Sequence, residues 1–111
     1  MTWAADDEAI FTLSRPAGGD HSDTAMRYDG SDTTESNNNT NAINFVSGNQ
    51  TITIGTDIGG TDKGKFVLGE LIYMDTTPSA ANIEKLEGYL AHKWGLEGNL
   101  PGGHTYKSSA P

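Results

Sequence analysis

One segment of the chain, residues 79–94, has the spacing of an amphipathic helix. Its apolar residues recur every three or four positions, at Ile83, Leu86, Leu90 and Trp94. Ser79 can cap the amino end of this helix, and Gly95 has the form of a left-handed cap at the carboxyl end. Gly88 inside the helix predicts a close approach to a sheet. The rest of the core must therefore come from strands.

Two segments near the amino end alternate in the manner of strands. Residues 9–13 place Ile10 on one face and Phe11 and Leu13 on the other. Residues 25–28 are a weaker candidate and precede Asp29-Gly30, a pair that suits a tight turn because both residue types tolerate positive φ. Residues 31–41, nearly all Ser, Thr, Asn and Asp, are predicted to be a loop.

Further strands are predicted in the middle of the chain. Residues 42–46 and 51–54 flank Ser47-Gly48-Asn49 and predict a hairpin. Residues 65–74 predict a strand interrupted at Gly69. The predicted core consists of Ile43, Phe45, Ile52, Ile54, Phe66, Leu68, Leu71, Ile83, Leu86, Leu90 and Trp94.

The charge of the chain limits the partners that it can bind. The net charge is −8, and the first 35 residues hold eight acids against two arginines. Such a field repels phosphate backbones and anionic lipid, so neither nucleic acid nor a membrane surface is an expected partner. No apolar stretch approaches the roughly 18 residues that span a bilayer, and membrane insertion is not expected either.

The sequence does not point to an enzyme. A concanavalin-type glycosidase needs two carboxylates that face one cleft. Asp6, Asp7 and Glu8 are consecutive and point to alternate sides, while Glu84 and Glu87 are predicted to lie on a solvated helix face. The sequence has no Gly-x-Ser-x-Gly elbow and no cysteine, and its three histidines are far apart, so no catalytic residue is predicted.

Ligand and metal sites are predicted only weakly. Candidate residues for stacking on sugars or for contacting their hydroxyl groups are Trp3, Tyr28, Asp57, Asp62 and Tyr106. Tyr89 and Trp94 are instead assigned to packing on or beside the buried face of the helix.

Ca²⁺ is the cation for which candidate ligands exist, at Asp57 and Asp62 or at Asp29 and Asp32. Asp and Gly also favour turns for conformational reasons alone, so neither a metal nor a cofactor is expected. His92 and His104 are expected to lie at the surface or to form hydrogen bonds rather than to bind zinc, because no second histidine lies at a ligand spacing.

Four stretches carry a resemblance to a known family. They are Phe-Val-Leu-Gly-Glu-Leu-Ile-Tyr at 66–73, Glu-Gly-Tyr-Leu-Ala-His-Lys-Trp-Gly-Leu at 87–96, Asn-Leu-Pro at 99–101 and His-Thr-Tyr-Lys at 104–107. Together they resemble the C-terminal part of laminin-G-like or concanavalin A-like jelly-roll domains, as found in phage structural proteins and bacterial surface proteins. The resemblance covers residues 52–111 and is poor over residues 1–40. It departs at Asn82, where relatives often place an acid.

The resemblance implies a mainly β fold: an antiparallel, jelly-roll-like β-sandwich, shorter than a complete module, with one helix at about 79–94 and an extended tail. Residues 1–111 are taken as a single domain, in which 1–40 form an irregular, acidic assembly-contact region and 41–111 form the family-like part. A shortened sandwich exposes an apolar sheet face and open edges, both of which invite partners.

The implied function is that of a non-enzymatic structural module of a bacteriophage virion, such as a head decoration or cement protein or a tail or fibre accessory. Its expected partners are other virion proteins and further copies of the same chain. The alternative is a carbohydrate-binding, lectin-like module of a secreted or cell-surface protein, whose partners would be glycans.

Overall fold

The computed structural model describes residues 7–16, 21–33, 54–55, 61 and 63–111. The chain divides into two compact units, one of Met1–Ile43 with Thr76–Pro111 and one of Asn44–Asp75. All the regular elements of the described residues belong to the first unit. The predicted hairpin of residues 42–54 lies almost wholly outside the described residues.

The first unit combines a small antiparallel sheet with one helix. Its strands are β1 (Phe11–Ser14), β2 (Ala25–Tyr28) and β3 (Ser31–Asp32), in the spatial order β1-β2-β3. The helix α1 spans Ala80–Trp94, and short 3₁₀ turns occupy His21–Asp23 and Glu97–Asn99. The antiparallel sheet and the helix agree with the prediction. The described residues form a mixed α/β fold, whose sheet is too small to establish a sandwich.

A two-residue turn joins β2 to β3, as the Asp29-Gly30 pair predicts. Asp29 has a φ of 48° and Gly30 a φ of 77°, the positive values that a type I′ hairpin turn requires at both central positions. The turn pairs Tyr28 with Ser31 and Arg27 with Asp32. A Cβ atom on Gly30 would lie 2.9 Å from Cδ2 of His104, so this glycine also allows a close approach of the tail.

The helix begins and ends as predicted. The Ser79 hydroxyl accepts a hydrogen bond of 3.3 Å from the Asn82 N–H. Gly95 adopts the left-handed conformation with a φ of 72°, and both its N–H and that of Leu96 donate to the Ala91 carbonyl. These two bonds, one from the left-handed glycine and one from the residue after it, cap the carboxyl end of the helix and satisfy the Ala91 carbonyl.

The core of the first unit differs from the predicted one. Its buried apolar residues are Ile10, Ala91 and Leu100, with Leu90 and Leu96 packed against them. Ile83 and Leu86 are half-buried. The prediction is wrong for Ile54, Phe66, Leu68, Leu71 and Trp94, all of which are at least 45% exposed. It is untested for Ile43, Phe45 and Ile52, which lie outside the described residues. The helix packs through its small residues because they allow a closer approach than Trp94 does.

Residues 65–74 do not form the predicted strand. Their large apolar side chains are exposed, with Val67 at 96% and Tyr73 at 71%. A strand needs a ladder partner for its backbone groups, and the part of the second unit that is described offers none to this segment. Alternation alone was therefore insufficient to produce a strand here.

No helix of the described residues has both the length and the apolar character needed to traverse a lipid bilayer.

Candidate functional site

The sheet turns its polar side chains toward the helix. Thr12 of β1 and Arg27 of β2 lie directly opposite each other in the ladder. The Thr12 hydroxyl donates to Oε1 of Glu87 at 3.1 Å, and Nε of Arg27 donates to the same oxygen at 2.8 Å. Glu87 lies in the middle of α1, so these bonds tie the sheet to the helix through a carboxylate.

Glu87 is the centre of a buried polar cluster, which we call the Glu87 cluster and which comprises Thr12, Arg27, Glu87 and His104. The side chains of Glu87 and His104 are each 1% exposed, and that of Arg27 is 18% exposed. Arg27 binds both carboxylate oxygens, because Nη2 donates to Oε2 at 3.1 Å while Nε donates to Oε1. The predicted solvated position of Glu87 is therefore wrong.

The remaining Arg27 donors and His104 complete the cluster. Arg27 Nη2 also donates to the Gly30 carbonyl at 2.5 Å, and Nη1 donates to Asp32 at 3.2 Å. The Tyr106 N–H donates to Nδ1 of His104 at 3.2 Å, so a neutral His104 carries its proton on Nε2 and donates to Glu87 Oε2 at 3.3 Å. Four donors thus surround the two oxygens of Glu87, and the cluster acts as a structural anchor.

The C-terminal tail is fastened to the helix by several polar contacts. His92 Nε2 lies 2.8 Å from the Tyr106 carbonyl, and the Thr105 hydroxyl donates to Glu84 at 2.7 Å. The Lys107 ammonium donates to the backbone carbonyls of the 3₁₀ turn and the residue that follows it, namely those of Glu97, Gly98 and Leu100. His92 and His104 therefore have the hydrogen-bonding roles that were predicted.

Two of the predicted ligand residues, Tyr28 and Tyr106, are among the residues that the structure describes. Trp3, Asp57 and Asp62 lie outside the described residues. Tyr106 is half-buried and packs beside Gly88 of the helix. Tyr28 is half-buried in β2. Its burial, followed by the negative charges of Asp29 and Asp7, raises its pKa above 10.0.

The alternative calcium ligands, Asp29 and Asp32, are both engaged with protein groups. Asp29 is buried, and its Oδ1 accepts the Ile10 N–H at 2.8 Å, while its own N–H donates to the Ile10 carbonyl at 2.8 Å. Asp32 pairs with Arg27. Among the residues that the structure describes, no three acidic or histidine side chains are grouped to hold a metal ion.

Asp29 provides a pH-dependent prediction. Burial raises the pKa of its carboxyl above 3.8, although the Ile10 N–H opposes the shift. A raised folded-state pKa contributes stability that is present at acid pH, below the unfolded pKa, and is lost as the pH rises through the folded pKa. Asparagine tolerates the positive φ, and its amide oxygen can still accept the hydrogen bond from the Ile10 N–H without carrying a charge. We therefore expect Asp29→Asn to match the native chain near pH 3 and to exceed its free energy of unfolding at pH 7.

The measurement is denaturant unfolding from pH 3 to pH 8. Asp29→Ala is the control, because it loses the Ile10 bond and should be destabilised by about 1–3 kcal/mol at every pH. An Asp29→Asn chain less stable than the native one at pH 7 would show that the ionised carboxylate is favourable.

The opposite side of the sheet is apolar and open to solvent. Phe11 and Leu13 alternate with Thr12 and therefore point away from the helix, where they are 51% and 61% exposed. Their cross-strand partners are Tyr28 and Met26. We call these four residues the outer apolar face. The sheet is thus reversed with respect to the usual arrangement, in which an antiparallel sheet buries its apolar face and leaves its polar face in water.

The helix also presents exposed aromatic rings. Tyr89 and Trp94 are 41% and 47% exposed, and the Lys93 ammonium lies 5.3 Å and 5.9 Å from the two ring centroids. Lys93 also donates to the Tyr89 hydroxyl at 2.9 Å. The predicted packing of these rings on a buried helix face is wrong, because that position is taken by Glu87, Gly88 and Ala91.

Sequence reasoning missed the Glu87 cluster. A glutamate on a helix is ordinarily solvated, and its partners here lie 60 and 17 residues away along the chain. One signal was present: Gly88 and Ala91 are small and mark the side of the helix that other groups approach closely.

Comparison of the chain with protein-family models, with curated proteins and with solved structures gave no significant match.

Proposed function

We propose that this chain is a non-enzymatic structural module that joins a larger protein assembly through the outer apolar face of its sheet. The reversed polarity of the sheet carries the proposal. Thr12 and Arg27 are directed toward Glu87, which leaves Phe11 and Leu13 more than half exposed on the other side. Aromatic and aliphatic side chains that share one face of a sheet are a docking surface for another apolar layer.

The size of the face favours a repetitive assembly over an isolated pair. Fully burying a Leu or Phe side chain is worth about 1.5–3 kcal/mol, and Phe11 and Leu13 each have roughly half of that left to gain. Association costs several kcal/mol in lost translational and rotational freedom, and this cost opposes the free energy gained by burying the two side chains. A weak contact of this size becomes stable when many copies are held on one particle, because the effective concentration is then high.

A bacteriophage virion is the setting that the family resemblance favours, with the module as a head decoration or cement protein or as a tail or fibre accessory. In a laminin-G-like sandwich a second sheet covers the apolar face of the first. A partner protein that supplies that second layer would complete the sandwich. The net charge of −8 favours a protein partner over nucleic acid in such a particle.

The geometry of the buried carboxylate supports a non-enzymatic role. A catalytic acid or base must reach a substrate proton. Both oxygens of Glu87 already accept hydrogen bonds from Thr12, Arg27 and His104, and the side chain is 1% exposed. Glu87 holds the sheet and the helix together instead.

A lectin-like module is the second candidate, and the exposed rings of Tyr89 and Trp94 favour it. Aromatic faces stack on the apolar faces of pyranose rings, and Lys93 could donate to a sugar hydroxyl beside them. This role predicts a folded monomer whose melting temperature rises with a sugar, and Trp94→Ala should remove that rise. The assembly role predicts no response to sugars.

The test of the assembly role is to replace Leu13 by Thr. Threonine is β-branched, which strands favour, but it removes most of the apolar surface of leucine, so self-association or binding to a particle should weaken several-fold. Sedimentation of the native and variant chains measures the change. The control is Val67→Thr, which replaces an even more exposed apolar side chain in the other unit and should leave association unchanged. Equal association of the native and Leu13→Thr chains would contradict the proposal.

A further inference from the structure

The backbone of Tyr106 lies between two histidine rings. Its N–H donates to Nδ1 of His104 at 3.2 Å, and its carbonyl lies 2.8 Å from Nε2 of His92 on α1. The Tyr106 side chain packs against Gly88 of the same helix. The contact between the C-terminal tail and the helix therefore depends on which nitrogens of these two rings carry protons.

The two rings respond to acid in opposite ways. A carbonyl oxygen only accepts, so Nε2 of His92 already carries a proton. A second proton on that ring leaves its bond to Tyr106 in place and makes the bond charge-assisted. Nδ1 of His104 accepts the Tyr106 N–H, and it can do so only while it carries no proton. A second proton on His104 therefore sets two donors against each other at 3.2 Å.

The His104 ring has little room to turn away from this contact, whereas the tail can move. The side chain is 1% exposed, its Nε2 donates to Glu87 at 3.3 Å, and a Cβ on Gly30 would lie 2.9 Å from its Cδ2. A charged ring binds the Glu87 carboxylate more strongly than a neutral one, which holds the ring more firmly. Residues 105 and 108–111 are exposed, so the tail is the part that gives way.

The charged groups around the two rings come from the helix, the sheet and the tail. Glu87 of α1 attracts a positive charge on His104, and Arg27 of β2, which shares that carboxylate, opposes it. The other charged neighbours are already engaged: Asp29 with the Ile10 N–H, Asp32 with Arg27, Glu84 with the Thr105 hydroxyl and Lys107 with backbone carbonyls. Glu87, in direct contact with the ring, is thus the group that receives the second proton's charge.

We propose that His104 is an acid-sensitive latch for residues 105–107 of the C-terminal tail. In its neutral form the ring holds both Glu87 and the Tyr106 N–H. In its charged form it keeps Glu87 and releases the Tyr106 N–H, and Tyr106 moves away from the helix. The contact between sheet and helix stays closed in both forms, because Arg27 binds both Glu87 oxygens independently of the tail.

Nuclear magnetic resonance of the native chain tests the latch without a variant. The ring nitrogens of His104 report its protonation from about pH 8 to about pH 4. Exchange of the Tyr106 amide, expressed relative to an unstructured peptide at each pH, reports its hydrogen bond. We expect the protection of this amide to fall about five- to tenfold over the pH range in which the His104 ring becomes charged. The His104 amide, which donates to the Pro101 carbonyl, lies before the latch and should keep its protection.

Three results would overturn the proposal. The first is a His104 ring that stays neutral throughout the titration. The second is a ring that becomes charged with no loss of protection at Tyr106. The third is a loss that the amides of α1 share, because the chain would then unfold as a whole rather than release its tail.

Two variants assign the effect to His104 rather than to His92. His104→Asn places an amide oxygen that does not titrate where it can accept the Tyr106 N–H two residues on, and Arg27 still binds both Glu87 oxygens. Its Tyr106 protection should therefore be the same throughout the titration. His92→Gln keeps a donor for the Tyr106 carbonyl and should show the native fall. A fall that persists in His104→Asn and disappears in His92→Gln would overturn the role of His104.

Discussion

Replacement of Arg27 by Met is expected to lower the free energy of unfolding by about 3–5 kcal/mol, a large fraction of the total stability of a domain of this size. The variant leaves the Glu87 carboxylate buried, with Thr12 and His104 as its remaining donors. The loss of one partner from a buried ion pair is severe because the other charge stays desolvated. Urea unfolding monitored by circular dichroism measures the change.

The control for this variant is Asp32→Ala. Asp32 also pairs with Arg27, but its side chain is 84% exposed, and surface pairs of this kind contribute at most about 1 kcal/mol. We therefore expect a large difference in the free energy of unfolding between these two variants, although each removes one ionic partner of the same group of ion pairs. If Arg27→Met lowered the free energy of unfolding by less than about 1 kcal/mol, Glu87 would be hydrated rather than buried.

Replacement of Gly88 by Ala is expected to destabilise the chain even though it improves helix propensity. Alanine is better than glycine in a helix by about 1 kcal/mol. A Cβ at position 88, however, would lie 2.4 Å from Cβ of Tyr106 and 2.8 Å from its Cγ. Both atoms lie next to the backbone of the tail and cannot swing away, so the tail itself must shift. Overpacking of this kind destabilises by roughly 1–3 kcal/mol, which outweighs the gain in propensity.

The measurement is the midpoint of thermal unfolding for Gly88→Ala and for a matched variant, Gly98→Ala. A Cβ on Gly98 meets no atom within 4 Å, and the melting temperature of that variant should change little. A Gly88→Ala chain that melts above the native one would show that the tail is not held against the helix.

Local signals determined what the sequence predicted correctly. Ser79, Gly95 and the apolar spacing between them define the helix, and each acts within a few residues of itself. The Asp29-Gly30 pair predicted a hairpin turn because few other residue types adopt two consecutive positive φ angles. In each case the chemistry that decides the structure is contained in the segment itself.

The parts that were missed depend on distant partners. Glu87 is buried because Arg27 and His104 reach it, and neither partner can be recognised from the residues around Glu87. Phe66 and Leu68 alternate like core residues, yet burial would require a neighbouring strand or sheet. Gly88 did predict a close approach, but the group that approaches is the tail at Tyr106 rather than a sheet.

The mass of the native chain in solution, measured by light scattering over a range of concentrations with circular dichroism in parallel, tests the assembly role most directly. We expect a folded protein whose mean mass rises above 11.8 kDa as the concentration increases. The exposed Phe11 and Leu13 side chains provide the driving force for that rise. A folded protein that remains at 11.8 kDa at every concentration, and gains stability only with a sugar, would contradict the assembly role.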